Sequence, residues 1–119
     1  MSCKYITEYK KKPFEERKKK SSSMIEKYHG RVPIIIGKKD NSNVSDIDKN
    51  KYLCPNDLTL SQFTYVIRKR VSVKSTEAIF LFFDDKIYSQ DTLLSVIYKE
   101  CKDDDGFLYG IFCIENTFG

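Results

Sequence analysis

Six consecutive apolar residues, Ala78-Ile79-Phe80-Leu81-Phe82-Phe83, limit this chain more than any other feature. Successive side chains of a strand point to opposite faces, so a run with no polar position offers nothing to water on either side. The run predicts a central strand, in a sheet that needs a further layer over each face. A chain of 119 residues with 40% hydrophobic content supplies one ordinary core of that kind.

The covering layers are legible nearby. In Leu58-Thr59-Leu60-Ser61-Gln62-Phe63, Thr59 and Gln62 have the spacing of a capping box, and Leu58 can staple onto Phe63. A helix is therefore expected from about Leu60, with Leu60, Phe63, Ile67 and Val71 inward and Arg68, Lys69 and Arg70 toward solvent. A second helix is expected over 14–28. Pro13 suits its first position, Glu15 and Glu16 complement the dipole, Phe14, Ser21, Ile25 and Tyr28 share one face, and Gly30 follows its end. A shorter turn around Tyr5 to Tyr9 precedes it.

Val32 to Ile36 reads as a strand, with Pro33 near its beginning or at an edge. Residues 38–50 form a polar loop. Lys51-Tyr52-Leu53-Cys54-Pro55 is a short strand, and Pro55, which cannot donate to a ladder, places it at a sheet edge. A short strand at Ile87-Tyr88, a helix over 92–101, a solvated turn at Asp103-Asp104-Asp105-Gly106 and a last strand over 107–114 complete the order. The fold class is α+β, and a β-grasp core fits: residues 1–30 are an N-terminal helical arm and residues 31–119 the body, one structural domain overall.

Function classes narrow by chemistry. Cys3, Cys54, Cys101 and Cys113 form no C-x-x-C pair and His29 is distant, so no metal or redox site is expected and no cofactor is called for. Cys54 and Cys113 lie in apolar runs, where a thiol stays protonated. No convergent acid, base and nucleophile can be named, so no enzyme is expected. No stretch approaches the roughly 18 apolar residues of a membrane span, and the start lacks a signal-peptide core, which suggests the cytosol. The net charge of +4 is concentrated in Lys10 to Lys12, Arg17 to Lys20 and Arg68 to Arg70. Such clusters favour acidic partners, including anionic lipid, acidic peptides, tubulin-like tails or nucleic acid, while a solvated helix face explains each cluster singly.

Arg31-Val32-Pro33, the segment Asp48 to Pro55, Gln62-Phe63, Ile67 to Arg70 and Asp105-Gly106-Phe107-Leu108-Tyr109 together resemble the ubiquitin-like autophagy modifiers, GABARAP and its relatives. The resemblance runs over essentially the whole chain. It implies a ubiquitin-like fold and a terminal glycine, matched here by Gly119, that activating and conjugating enzymes join to phosphatidylethanolamine. A processing and deconjugating cysteine protease, cargo receptors, possible tubulin binding and a cytoplasmic and autophagosomal location are implied with it, and nucleic acid is not an expected partner. Glycine suits the role because a tail without a Cβ threads a narrow active site.

The resemblance also implies a groove for peptides with an aromatic residue and, three positions on, an aliphatic one. The peptide adds a strand beside Lys51 to Pro55. Met24, Pro33, Lys51, Leu53 and Phe107 match the aromatic pocket; Tyr52, Cys54, Pro55, Leu58, Phe63, Val66 and Ile67 match the aliphatic pocket. Arg31, Lys49, Lys51 and Arg70 match basic positions that meet acidic or phosphorylated flanks. Phe63 and Ile67 are expected to belong partly to the core, and Leu53 and Tyr52 to be the exposed members. Lys20 departs from the family's acidic preference, Cys54 and Val66 are smaller than usual, and Tyr88-Ser89 replaces a proline pair. The alternative reading from another class is an unconjugated basic module for nucleic acid or acidic polymers.

Overall fold

A computed structural model describes residues 1–42 and 46–116. The elements run α1 (Lys4–Tyr9), α2 (Phe14–Lys27), β1 (Arg31–Lys38), β2 (Lys51–Pro55), α3 (Leu60–Arg68), β3 (Glu77–Phe83), α4 (Leu94–Cys101) and β4 (Leu108–Asn116). Four strands form one mixed sheet in the order β2-β1-β4-β3. Its two middle strands, β1 and β4, are parallel, and the outer two are antiparallel to their neighbours.

The two-layer expectation holds, but the strand that demands it is β1. Ile34 and Ile36 join Leu60, Phe63, Ile67, Leu94 and Ile97 beneath α3 and α4, while Ile35 packs with Tyr9 and Phe107 beneath the arm. β3 is an edge strand, contrary to the expectation from its sequence. Ile79, Leu81 and Phe83 are buried; on the opposite face Phe82 is half-buried and Phe80 is 38% exposed, because the arm packs chiefly on β1.

Pro33 is the third residue of a central strand, not an edge residue. Backbone bonds from Ile36 N to Asn50 O and from Asn56 N to Gly30 O show that the even-numbered residues of β1 bond toward β2. Pro33 therefore turns its missing donor toward β4, whose register starts only at Ile34 opposite Leu108. No ladder bond is lost there.

The capping box forms as expected: Thr59 Oγ1 accepts from Gln62 N, and Gln62 Oε1 accepts from Thr59 N. Arg68 is not turned to solvent; it is half-buried and donates to the carbonyls of Glu77 and Lys74. Ile87-Tyr88 is not a strand: the chain there makes a single bridge at Lys86, and Ile87 is 59% exposed.

The face by which α2 meets the sheet also differs from expectation. Phe14, Ile25 and Tyr28 are exposed, whereas Arg17, Ser21 and Met24 point inward. The cause is Asp105, which is wholly buried and far from being part of a solvated turn. Its carboxylate takes Arg17 Nη1 and Tyr109 Oη, each at 2.5 Å, and the Phe107 N–H at 2.9 Å. Ser21 Oγ donates to the Asp105 carbonyl. Gly106 follows with φ +90°, and a Cβ there would strike Ser21 Oγ, so the turn and α2 approach closely only with glycine at this position.

Candidate peptide-docking site

β2 lies at the outside of the sheet, as Pro55 predicts. Because Asn50, Tyr52 and Cys54 bond inward to β1, Lys51 and Leu53 turn their backbone groups outward, where an added strand could bond them. Arg31 Nη1 already donates to the Leu53 carbonyl at 3.2 Å. An arriving backbone N–H would replace that guanidinium.

Side-chain alternation sorts the candidate residues into two groups. Lys51 and Leu53 face the arm, where Met24 packs against the cluster of Tyr9, Ile35 and Phe107. Pro33 is buried opposite Leu53 in the β ladder. Phe107 is also buried, edge-on to Tyr9 at 5.8 Å between ring centroids, so it forms a floor and not a rim. On the other face, Tyr52 and Cys54 lie with Phe63 and Ile67 in the main core, Leu58 packs against them, and Val66 is exposed. Pro55 stands exposed at the strand's end.

Two expectations need correction. Phe63 and Ile67 are wholly buried, so they are core before they are pocket. Tyr52 is only 7% exposed and meets Phe63 edge-on, so the exposed member of the β2 pair is Leu53, half-buried and outside both packed clusters. The sequence marks Tyr52 as strand but cannot tell which face holds the larger helical layer.

The electrostatics are one-sided. Lys51 Nζ lies 5.1 Å from the Tyr9 ring centroid, with Lys12 Nζ over the same ring at 5.7 Å. Burial first, then Lys20 and Lys12, pull the Lys51 ammonium below its usual range. Cations held together in this way favour an anion beside the arm-side pocket. Lys49 covers Tyr52, and Arg70 faces Asp48 at 3.7 Å. Burial raises the Cys54 thiol to about 11, and Cys113 also lies above the usual value, so both stay protonated at neutral pH and pack as small apolar groups. Gly119 lies outside the described residues.

Comparison with known proteins now decides the family. A family model described as "Autophagy protein Atg8 ubiquitin like" matches residues 16–119. The chain belongs to the Atg8 family. It is 49% identical to Autophagy-related protein 8 of Kluyveromyces lactis over 107 residues, covering 90% of this chain and 86% of that one. Against the Vanderwaltozyma polyspora protein of the same name the identity is 46% over 119 residues, covering 100% and 98%. A crystal structure of Trypanosoma brucei ATG8 superposes with a TM-score of 0.86 at 36% identity, covering all of both chains. The fold is thus the ubiquitin-like fold of Atg8 proteins, carrying helices before its first strand. As an Atg8-family chain, this is a ubiquitin-like autophagy protein.

Proposed function

We propose that this Atg8-family chain is a modifier conjugated through Gly119 to phosphatidylethanolamine, recruiting cargo receptors to autophagic membrane through the β2 groove. The observation that supports it is the free edge of β2, with outward backbone groups at Lys51 and Leu53 and an apolar site on each side. An extended peptide adds its backbone there, while its alternate side chains reach Met24 and Leu53 on one side and Leu58 and Val66 on the other. Arg31, Lys49, Lys51 and Arg70 receive acidic flanks. In this reading the chain is a substrate of enzymes and not a catalyst, with residues 1–30 as an arm on a 31–119 modifier body.

Among the described residues no helix is long and apolar enough to cross a membrane, so a covalent lipid is a direct way to hold the body at a bilayer. An activating enzyme joins the Gly119 carboxyl to the adenylyl group of ATP with loss of pyrophosphate, an enzyme cysteine displaces AMP to carry it as a thioester passed on to the conjugating enzyme's cysteine, and the lipid amine displaces the final thiolate to form an amide. A cysteine protease hydrolyses the lipid amide and releases the body. The body is then cytoplasmic before conjugation and at the autophagosomal membrane after it.

Two measurements test the reading. Leu53→Ala is expected to weaken an aromatic-x-x-aliphatic peptide by about 1–2 kcal/mol in calorimetric titration, as loss of an exposed pocket wall does. Equal affinities would remove Leu53 from the groove. Gly119→Ala is expected to slow formation of the lipid adduct by about tenfold or more, because a Cβ misplaces the carbonyl in a narrow site. The adduct is read by mass with purified conjugation enzymes, nucleoside triphosphate and lipid vesicles; parental yield would sink the conjugation step.

The crowding of Lys12, Lys20 and Lys51 favours one second reading, an unconjugated binder of acidic polymers such as tubulin tails or nucleic acid. Binding that falls steeply with salt and ignores Leu53→Ala would support it.

A further inference from the structure

The arm-side pocket is assembled from pieces far apart in the chain. Its floor is Phe107, buried just before β4, with Tyr9 at 5.8 Å and Tyr109 at 6.3 Å between ring centroids, and one wall is Met24 of α2. The backbone bonds of a helix run along its own axis, so the distance from α2 to β4 is left to side chains.

Asp105 touches both pieces. Its Oδ1 accepts the Phe107 N–H at 2.9 Å, which fixes the backbone that carries the floor ring. Its Oδ2 accepts Arg17 Nη1 and Tyr109 Oη, and its carbonyl accepts Ser21 Oγ. Arg17, Ser21 and Met24 follow one another at helical spacing on the inward face of α2, so the bonds made at the first two set how deep the third stands. Asp105 has no exposed surface and the Arg17 side chain is only 11% exposed, so neither end of this link has water to fall back on. Lys10 completes the arrangement from just beyond α1: its Nζ bonds Asp103 at 2.9 Å and lies 4.4 Å from the Tyr109 ring centroid, while Asp103 Oδ2 accepts the Asp105 N–H at 3.0 Å.

We propose that Asp105 is a positioning residue for the arm-side pocket: by holding the Phe107 backbone with one oxygen and the Arg17 guanidinium with the other, it fixes the gap between floor and wall and so how tightly an aromatic anchor is gripped. The inference rests on the docking reading above and adds to it a buried residue that touches no peptide. Its action is confined to one pocket. The aliphatic site is built on Tyr52, Cys54, Leu58, Phe63 and Ile67, which belong to the main cluster on the other face of the sheet. A loss of overall stability weakens both sites alike, whereas a change in the gap reaches the aromatic anchor alone.

The test is a cycle between chain and peptide, run by NMR titration on the full chain with three peptides of uncharged flanks, Phe-x-x-Val, Ala-x-x-Val and Phe-x-x-Ala. The parent is expected to lose about 30-fold in affinity when either anchor becomes Ala. Asp105→Asn has a single acceptor oxygen, enough for the floor or for the wall but not for both. In that variant the aromatic factor is expected to shrink to about fivefold while the aliphatic factor stays parental. Arg17→Gln leaves the Phe107 bond in place and loosens α2 alone, and is expected to give an aromatic factor between the two, again with the aliphatic factor unchanged. Parental aromatic factors in both variants would overturn the proposal, and so would equal falls in both factors, the sign of a fold loosened as a whole. Should Asp105→Asn not fold, the Arg17→Gln factors decide by themselves. Failure of the parent to bind any of the peptides would overturn the groove reading together with the proposal, an outcome separate from unchanged factors among peptides that do bind.

Discussion

Asp105→Ala is expected to lower folding stability by about 3–5 kcal/mol, the range seen when one member of a buried ion pair is removed. Asp105 has no exposed surface, and the Arg17 side chain it holds is only 11% exposed. Truncation would leave a guanidinium, the Tyr109 hydroxyl and the Phe107 N–H without their shared acceptor in a place water scarcely reaches. Burial, and then the hydrogen bond to Asp105, push the Tyr109 phenol well above its usual value, so that hydroxyl cannot escape the penalty by ionising at neutral pH. Arg17 and Ser21 are the polar residues by which α2 meets this turn, while Phe14 and Ile25 on the same helix face solvent.

The loss should therefore appear first in the arm. In hydrogen exchange the amides of residues 14–27 are expected to lose protection in Asp105→Ala, while those of β1 and β4 keep most of theirs. Asp105→Asn keeps an acceptor oxygen for the Phe107 N–H but discards the charge, and is expected to fall between parent and alanine. An alanine variant with parental unfolding in urea would show that the Asp105 carboxylate does not fasten the arm, which the Ser21 bond to the residue-105 carbonyl, the Lys10–Asp103 pair and the packing of Met24 and Tyr9 would then hold without it.

Phe63→Ala is the second large effect, about 3–5 kcal/mol from the lost transfer energy and the cavity left behind. The ring is wholly buried among Tyr52, Leu60, Ile67 and the strands, with Tyr52 edge-on at 5.5 Å. Leu53→Ala, at a half-exposed position outside both clusters, is expected to cost less than about 1 kcal/mol in the same denaturation experiment. The pair separates core from groove: both substitutions weaken peptide binding, but only Phe63→Ala should do so with a large fall in stability. If Phe63→Ala unfolds at parental denaturant concentrations, the ring is a pocket wall and the packing described for it is wrong.

These two residues also show where sequence patterns succeed and fail. Phe63 is inward by helical spacing from Leu60 to Ile67, and the capping box fixes the start of that helix through bonds made entirely within four residues. The edge position of β2 follows from Pro55, and the family motifs bring Lys49, Lys51 and Arg70 to one region around it. Asp105 was illegible, because a run of three aspartates before a glycine has the composition of a wet turn; its burial depends on an arginine 88 positions earlier. The inward face of α2 is legible only at Ser21; Phe14, Ile25 and Tyr28 turn outward and Arg17 turns inward, because Asp105 takes the Arg17 guanidinium there.

The sequence by itself determined what is local: where α2 and α3 begin, that β1 and β3 are strands, that a layer lies on each side of the sheet, and which family the motifs resemble. Tertiary structure alone decided which strand is central, whether Tyr52 or Leu53 is exposed, and how the arm is fastened. The physical reason is that an apolar run reports how much of a strand is kept from water, not how many of its edges are hydrogen-bonded. β3 has the more continuous run yet sits at the edge, whereas β1 tolerates a proline at the centre because β4 starts one residue later.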